Sequence, residues 1–206
     1  MICGGKTVHH REEKIRAFLA IDPPEGIRET LVSVQNTLKK ELPGVRWVSP
    51  EGIHLTLKFF GQIGKRELAS ITALVPQELM DASPLKLSIE SIGVFPHLRR
   101  PRVLWLGTGG EVEKLVNLTN HLECSLEKAG FPREERPFTP HWTLARFNDF
   151  RELNLLSRIV EENREKQWGV FEAEALILFR SELTPQGAIY TPLEIFKLRK
   201  TGLKPE

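Results

Sequence analysis

The tetrapeptide His-x-Thr-Leu occurs twice, as His54-Leu55-Thr56-Leu57 and as His141-Trp142-Thr143-Leu144, with the two histidines 87 positions apart. Each copy lies in a short apolar run rich in β-formers, HLTLKFFG at 54–61 and HWTLARF at 141–147, so each predicts a strand. Strand side chains alternate faces, which puts His54 and Thr56 on one side and Leu55 and Leu57 on the other. The same parity joins His141 to Thr143 and sets Trp142 and Leu144 opposite. The element order around the motifs also repeats. A strand at 14–22, a helix at 24–42, the first histidine strand, a helix at 65–80 and a strand at 85–95 are followed by a strand at 102–107, a helix at 111–129, the second histidine strand, a helix at 151–165 and strands at 171–180 and 188–198. A duplicated strand–helix pattern of this kind predicts an α+β protein of two pseudo-symmetric lobes, with the site in the cleft between them.

Local signals support these assignments. Ile27, Leu31, Val34 and Leu38 recur at helical spacing, as do Leu115, Leu118, Leu122 and Leu126. Pro24 suits a first helical position, and Gly130 a helix stop. Pro76 predicts a break or restart of its helix. A short strand is expected at 45–49, a turn at 50–52, a proline- and charge-rich loop at 132–140 and a tight connection at 184–187. Residues 1–14 are expected to be an N-terminal extension, and 15–206 a single bilobal domain.

Composition narrows the class of function. The chain has 206 residues, 40% hydrophobic and 27% charged, enough to bury a proper core. A net charge of +2 does not oppose an anionic substrate, but it does not mark a nucleic-acid binder either. The two cysteines, Cys3 and Cys124, form neither a metal spacing nor a disulfide framework, which fits a reducing, cytoplasmic setting. No segment approaches the roughly 18 apolar residues of a membrane span, and the N-terminus has no signal-peptide h-region. Gly5-Lys6-Thr7 lacks the first glycine of a phosphate loop, and His9-His10 has no partner cluster, so both read as parts of a tail. No cofactor is expected, and a monomer is.

Paired imidazoles and hydroxyls on one face suit phosphoryl chemistry. Histidine titrates near neutrality, so one copy can act as base and the other as acid. Threonine hydroxyls can donate to non-bridging phosphate oxygens, and the transfer itself asks mainly for positioning and charge stabilisation. A strained 2′,3′-cyclic phosphate needs no metal, and two opposed histidines suit in-line displacement. A zinc site would want three or four His, Cys or carboxylate ligands, and threonine is a poor one. His97, in a basic loop, and His121, on a helix, read as structural. Lys58, by parity with His54, is a candidate to add charge at the cleft rim, with a solvated surface position the equal alternative. Phe60 and Phe138 are candidates to stack on a base. The run 97–102 is a candidate RNA grip, although a solvated hairpin loop is the commoner meaning of such a run.

The two motifs as a pair resemble the twin signatures of the 2H phosphoesterase superfamily, most closely the RNA 2′,3′-cyclic phosphodiesterase family, also called 2′-5′ RNA ligases. The resemblance extends from about Arg16 onward, through RAFLAID, GVFP and PRVLWLG to the closing strands. It implies two lobes, each an antiparallel sheet with helices on its outer face, with strands exchanged between the halves. It implies metal-free hydrolysis of RNA 2′,3′-cyclic phosphate ends to 2′-phosphomonoesters, with small cyclic nucleotides as possible substrates. In that scheme His141 is the base that activates water, His54 the acid that protonates the leaving 3′-oxygen, and Thr56 and Thr143 hold the phosphate. Arg146 falls in the second motif, but strict alternation puts it on the Leu144 face, so it reaches the phosphate only if the strand bulges. Two other uses of the site are open: 2′-5′ ligation, in which a 5′-hydroxyl must outcompete water, and capture of an RNA end without turnover.

Overall fold

The computed structural model describes residues 13–185 and 187–199. The expectations for residues 1–12, including Cys3, the Gly5-Lys6-Thr7 run and His9-His10, lie outside the described residues, as does Gln186 of the 184–187 connection. Nine strands and four helices are present among the described residues: β1 (Ile15–Ile21), α1 (Glu25–Glu41), β2 (Arg46–Trp47), β3 (Leu55–Ile63), α2 (Lys65–Glu78), β4 (Leu85–Phe95), β5 (Val103–Gly110), α3 (Val112–Lys128), β6 (His141–Arg146), α4 (Leu153–Glu162), β7 (Gln167–Ala173), β8 (Ala175–Thr184) and β9 (Gly187–Lys197). A 3-10 turn at Pro50–Gly52 precedes β3. None of the described helices is long and apolar enough to cross a membrane.

The strands form one antiparallel sheet in the order β7-β4-β5-β6-β3-β1-β8-β9, with β2 paired to β6. The two histidine strands sit at its centre. To one side lies the lobe β3-β1-β8-β9, to the other the lobe β6-β5-β4-β7, and the two correspond strand for strand. Each half of the sequence thus supplies strands to both lobes: β4, from the first half, joins the second lobe, and β8 and β9, from the end of the chain, complete the first. The two central strands pair through one residue pair, Leu55 opposite Trp142.

The main core lies between the sheet and the helices. Along α1 the expected stripe of Ile27, Leu31, Val34 and Leu38 is buried, as are Leu115, Leu122 and Leu126 of α3. Fully burying side chains of this size contributes about 1.5–3 kcal/mol each. From the strands, Ala17, Leu19, Ile21, Leu55, Leu57, Leu104, Leu106, Trp142 and Leu144 enter the same core. The opposite face carries a second, smaller cluster of Phe18, Ala20 and Phe179, with Ile177 and Tyr190 against it.

Several elements differ from the sequence expectation. The run expected as a single strand at 171–180 is two, β7 and β8, separated at Glu174, because the chain leaves one lobe and enters the other there: Ala173 pairs with Leu85, whereas Ile177 pairs with Ala20. No glycine or proline marks the crossing; the Glu174 carbonyl is bound instead by the Leu198 N–H at 2.8 Å. Pro76 does not break α2, since it falls in the last turn and the helix ends two residues later. Pro24 occupies the N-cap of α1 rather than its first helical position, and its carbonyl accepts from the N–H groups of Ile27 and Arg28.

Lys58 is the largest departure. It is not at the cleft rim but 3% exposed on the helix side, where its Nζ lies 2.9 Å from Glu123 of α3 and donates to the Pro132 carbonyl at 2.6 Å. The cause is a β-bulge. β1 residues Leu19 and Ala20 pair with Lys58 and Thr56, leaving Leu57 unopposed, so the alternation slips by one residue after the motif. The same slip turns Phe60 inward, onto Phe131 with centroids 5.4 Å apart, a second bulge falls at Phe60 itself, and Phe138 packs against the same core. Both rings are thus half-buried against the core. The ion pair ties β3 to α3 and to the loop leading into β6. Glu123→Leu is expected to leave the buried Lys58 cation without a counter-charge and to cost about 3–5 kcal/mol. Lys58→Met/Glu123→Leu is expected to recover most of that loss, and urea denaturation of the two variants checks both.

Candidate active site

The register of the central pair sets the site. Leu55 and Trp142 both face the core and are 0% exposed, so the residues flanking them face the other way. Extending the antiparallel register by one residue in each direction sets His54 across from Thr143 and Thr56 across from His141. The four side chains of the two motifs thus share one face of the sheet, at the seam between lobes. Neither threonine hydroxyl has a protein partner among the described residues.

Each histidine is braced by the backbone two residues before it. His141 Nδ1 lies 2.7 Å from the Thr139 carbonyl oxygen. A carbonyl can only accept, so Nδ1 carries the proton and Nε2 is the nitrogen that titrates. The Gly52 carbonyl engages His54 in the same sense. Aromatic edges close both pockets. Phe18, Phe179 and Tyr190 lie 5.8, 4.7 and 5.1 Å from His54, and Phe95 and Trp105 lie 4.9 and 6.4 Å from His141, measured between ring centroids. Trp105 lies flat over Gly93, where a Cβ would fall 2.1 Å from the indole, so that glycine is required by the ring above it.

Two charged groups adjoin His54 that motif reading missed. Asp22, just past β1, places Oδ1 3.4 Å from His54 Nε2, and the same oxygen accepts from Arg28 of α1 at 2.7 Å. The signal was present in RAFLAID, but only strand pairing shows that Asp22 ends opposite the histidine.

Arg146 faces the site because of a bulge equivalent to that at Leu57. β5 residues Leu104 and Trp105 pair with Ala145 and Thr143, so Leu144 is unopposed and the parity changes. Ala145 is then buried and Arg146 exposed. The carbonyl at this bulge is satisfied by the Val48 N–H at 2.9 Å and by Nε2 of the fully buried Gln35 at 3.1 Å. Arg46 of β2 pairs directly with Arg146, which sets two cations side by side, and neither makes an ion pair among the described residues. Phe59, at the position of Arg146 in the other motif, is 52% exposed and lies 5.8 Å from Phe18, giving the first lobe an accessible ring against one of the walls of the His54 pocket.

The remaining candidates fall elsewhere. His121 pairs with Glu78 between α2 and α3, on the helix side. In the 97–102 loop, Arg102 donates to the Asn148 carbonyl at 2.7 Å, whereas His97, Arg99 and Arg100 are exposed. No group of three or more His, Cys, Asp or Glu side chains fit to hold a metal occurs among the described residues.

Two imidazoles and two hydroxyls on one face, with Arg146 beside them, are groups able to exchange protons with an anionic ester and to donate hydrogen bonds to it. The LigT like Phosphoesterase family matches the chain twice, over residues 21–105 and again over 108–190, so that each half carries one histidine motif. The chain is 40% identical over 185 residues to an RNA 2′,3′-cyclic phosphodiesterase of Methanothermobacter thermautotrophicus, covering 90% of this chain and 100% of that one. A crystal structure of a Thermus thermophilus protein superposes with a TM-score of 0.75 at 30% identity, covering 91% of this chain and all of the other. E. coli LigT in complex with 3′-AMP superposes at 0.71 with 25% identity, covering 91% and 99%. The protein is an enzyme of the LigT-like, or 2H, phosphoesterase family.

Both histidines are held below the ordinary value of 6.5, and burial is the largest cause in each. At His54 the Asp22 carboxylate and the Gly52 carbonyl pull upward and Arg28 pushes further down. At His141 the Thr139 carbonyl pulls upward and Arg146 pushes down. The folded chain therefore keeps these rings neutral at pH values where the unfolded chain has taken up protons. Their contribution to stability is complete above 6.5 and is lost as the pH falls below it. The His54→Asn/His141→Asn variant is expected to show a smaller fall in Tm than the parent between about pH 7.5 and about pH 5, a comparison made by calorimetry.

Proposed function

We propose that the protein hydrolyses RNA 2′,3′-cyclic phosphate ends to 2′-phosphomonoesters by two-histidine acid–base catalysis that uses no metal. The observation that carries the reading is the placement of His54, Thr56, His141 and Thr143 on one face of the central strand pair, each histidine across from the other motif's threonine. Relatives named RNA 2′,3′-cyclic phosphodiesterase and the nucleotide and phosphate complexes of E. coli LigT support the substrate class.

In this reading the cyclic phosphate sits at the seam. The Thr56 and Thr143 hydroxyls donate to its non-bridging oxygens, and Arg146 adds positive charge from the second strand. His141, with Nδ1–H tied to Thr139, takes a proton from water at Nε2. The resulting hydroxide attacks phosphorus, the bond to the 3′-oxygen breaks on the opposite side, and protonated His54 gives its proton to that oxygen. The product keeps the phosphate on the 2′-oxygen. The two histidines end with their protonation states exchanged and reset through solvent.

A short RNA ending in 2′,3′-cyclic phosphate, incubated with the enzyme and EDTA, is expected to yield a 2′-phosphate end, identified by mass spectrometry and resistance to a 3′-specific phosphatase. Loss of turnover in EDTA with recovery on adding zinc or manganese would overturn the metal-free scheme. Thr56→Ala and Thr143→Ala each remove one hydrogen bond to a charged phosphate, worth about 1.5–3 kcal/mol, so each is expected to slow turnover roughly ten- to a hundredfold. Unchanged kinetics in both would move the phosphate elsewhere.

A further inference from the structure

The two motifs are near copies, yet an in-line displacement needs one donor and one acceptor of protons. We propose that Asp22 is the positioning residue that makes His54 the proton donor, and that the fold excludes a counterpart beside His141. The inference rests on the two-histidine reading above and adds to it the group that sets the roles apart.

Corresponding strands locate the asymmetry. In the second lobe Thr143 pairs with Trp105 and His141 with Gly107. In the first, Thr56 pairs with Ala20 and Leu55 with Ile21, which brings Asp22 opposite His54. Asp22 therefore holds the place that Gly107 holds in the other lobe. Its carboxylate reaches within 3.4 Å of His54 Nε2 and is fixed from behind by Arg28, whose other nitrogen donates to the Pro50 carbonyl at 2.9 Å. No side chain can stand at Gly107, where a Cβ would lie 2.6 Å from Ser91 Oγ and 2.9 Å from the Glu90 carbonyl oxygen. Glu90 lies across Gly107 in the pairing, but its carboxylate turns over Gly109 and accepts from Ser88 Oγ at 3.2 Å.

The charges facing the two rings are therefore of opposite effect. Around His54 stand Asp22 after β1 and Arg28 of α1, with the Tyr190 ring of β9 and the uncharged Phe18 and Phe179 of β1 and β8. Near His141 stands Arg146, with Arg46 of β2 paired beside it, and Phe95 and Trp105 are uncharged. Burial lowers both rings, the buried His54 and the half-buried His141, so it does not by itself make either one the donor. A carboxylate at contact distance favours the imidazolium, and a guanidinium favours the neutral ring. Asp22 thus offsets part of the effect of burial at His54 and biases it toward the proton-giving form, whereas Arg146 biases His141 toward the proton-taking form.

The test is Asp22→Asn, which removes the charge but keeps the shape and an acceptor for Arg28. His54 and His141 ring protons, assigned from His→Asn variants, are titrated by NMR in both proteins. Rates are measured across pH on the cyclic-phosphate RNA and on a nitrophenyl phosphodiester, whose leaving group departs without a proton. Asp22→Asn is expected to move the His54 titration to lower pH and leave that of His141 in place. It is expected to lower kcat on the RNA substrate at the alkaline side of the optimum and to slow the nitrophenyl ester much less. An unmoved His54 titration, or equal slowing of both substrates, would overturn the inference. Failure of the parent enzyme to cleave the RNA would overturn the proposed function instead, and the titrations would still read the Asp22–His54 coupling.

Discussion

The architecture turns on the contact between Leu55 and Trp142. It is the one pair through which β3 and β6 meet, both side chains are fully buried, and it joins two four-stranded lobes into a single sheet. Because side chains alternate, burying this pair forces the histidines and threonines beside it onto the opposite face. A slip of one residue would bury the imidazoles and expose the core. The burial that joins the lobes therefore also sets the register of the site.

Two bulges then refine what the register begins. Both fall at the leucine that ends each His-x-Thr-Leu, and both change the parity of the residues that follow. After the first, Lys58 turns into the core and Phe59 comes to the open face. After the second, Ala145 is buried and Arg146 comes to the open face. One device thus yields an aromatic ring in one lobe and a cation in the other, from motifs that are otherwise alike. The turned-in Lys58 is accommodated by Glu123, and the freed Leu144 carbonyl by Gln35, so each bulge is anchored by a buried polar contact from a helix.

The electrostatics of the seam follow from the same asymmetry. Burial within aromatic walls holds both imidazoles toward the neutral form. Asp22 supplies the opposing charge at one ring only, and the crowding around Gly107 prevents the same at the other. A duplicated fold thereby sets two similar imidazoles in unlike fields, and the proposed division into donor and acceptor rests on that difference.

Much of this was legible in the chain. Repeated strand periodicity, helical stripes such as Ile27, Leu31, Val34 and Leu38, and the doubled motif determined the element order, the duplicated plan and the side chains at the seam, because these depend on local alternation and apolar spacing. What local spacing cannot encode was decided by pairing. The split between β7 and β8 at Glu174 reflects which neighbour each strand finds, and no residue there punctuates it. The inward turn of Lys58, the core placement of Phe60 and the outward turn of Arg146 depend on bulges, each created by mismatch with a partner strand distant in sequence. Asp22 lies 32 residues before His54, and only the β1–β3 register brings its charge to the ring. The residues that can carry the chemistry were thus determined by sequence, whereas the charges that surround them were decided by tertiary structure, because electrostatic coupling acts through space.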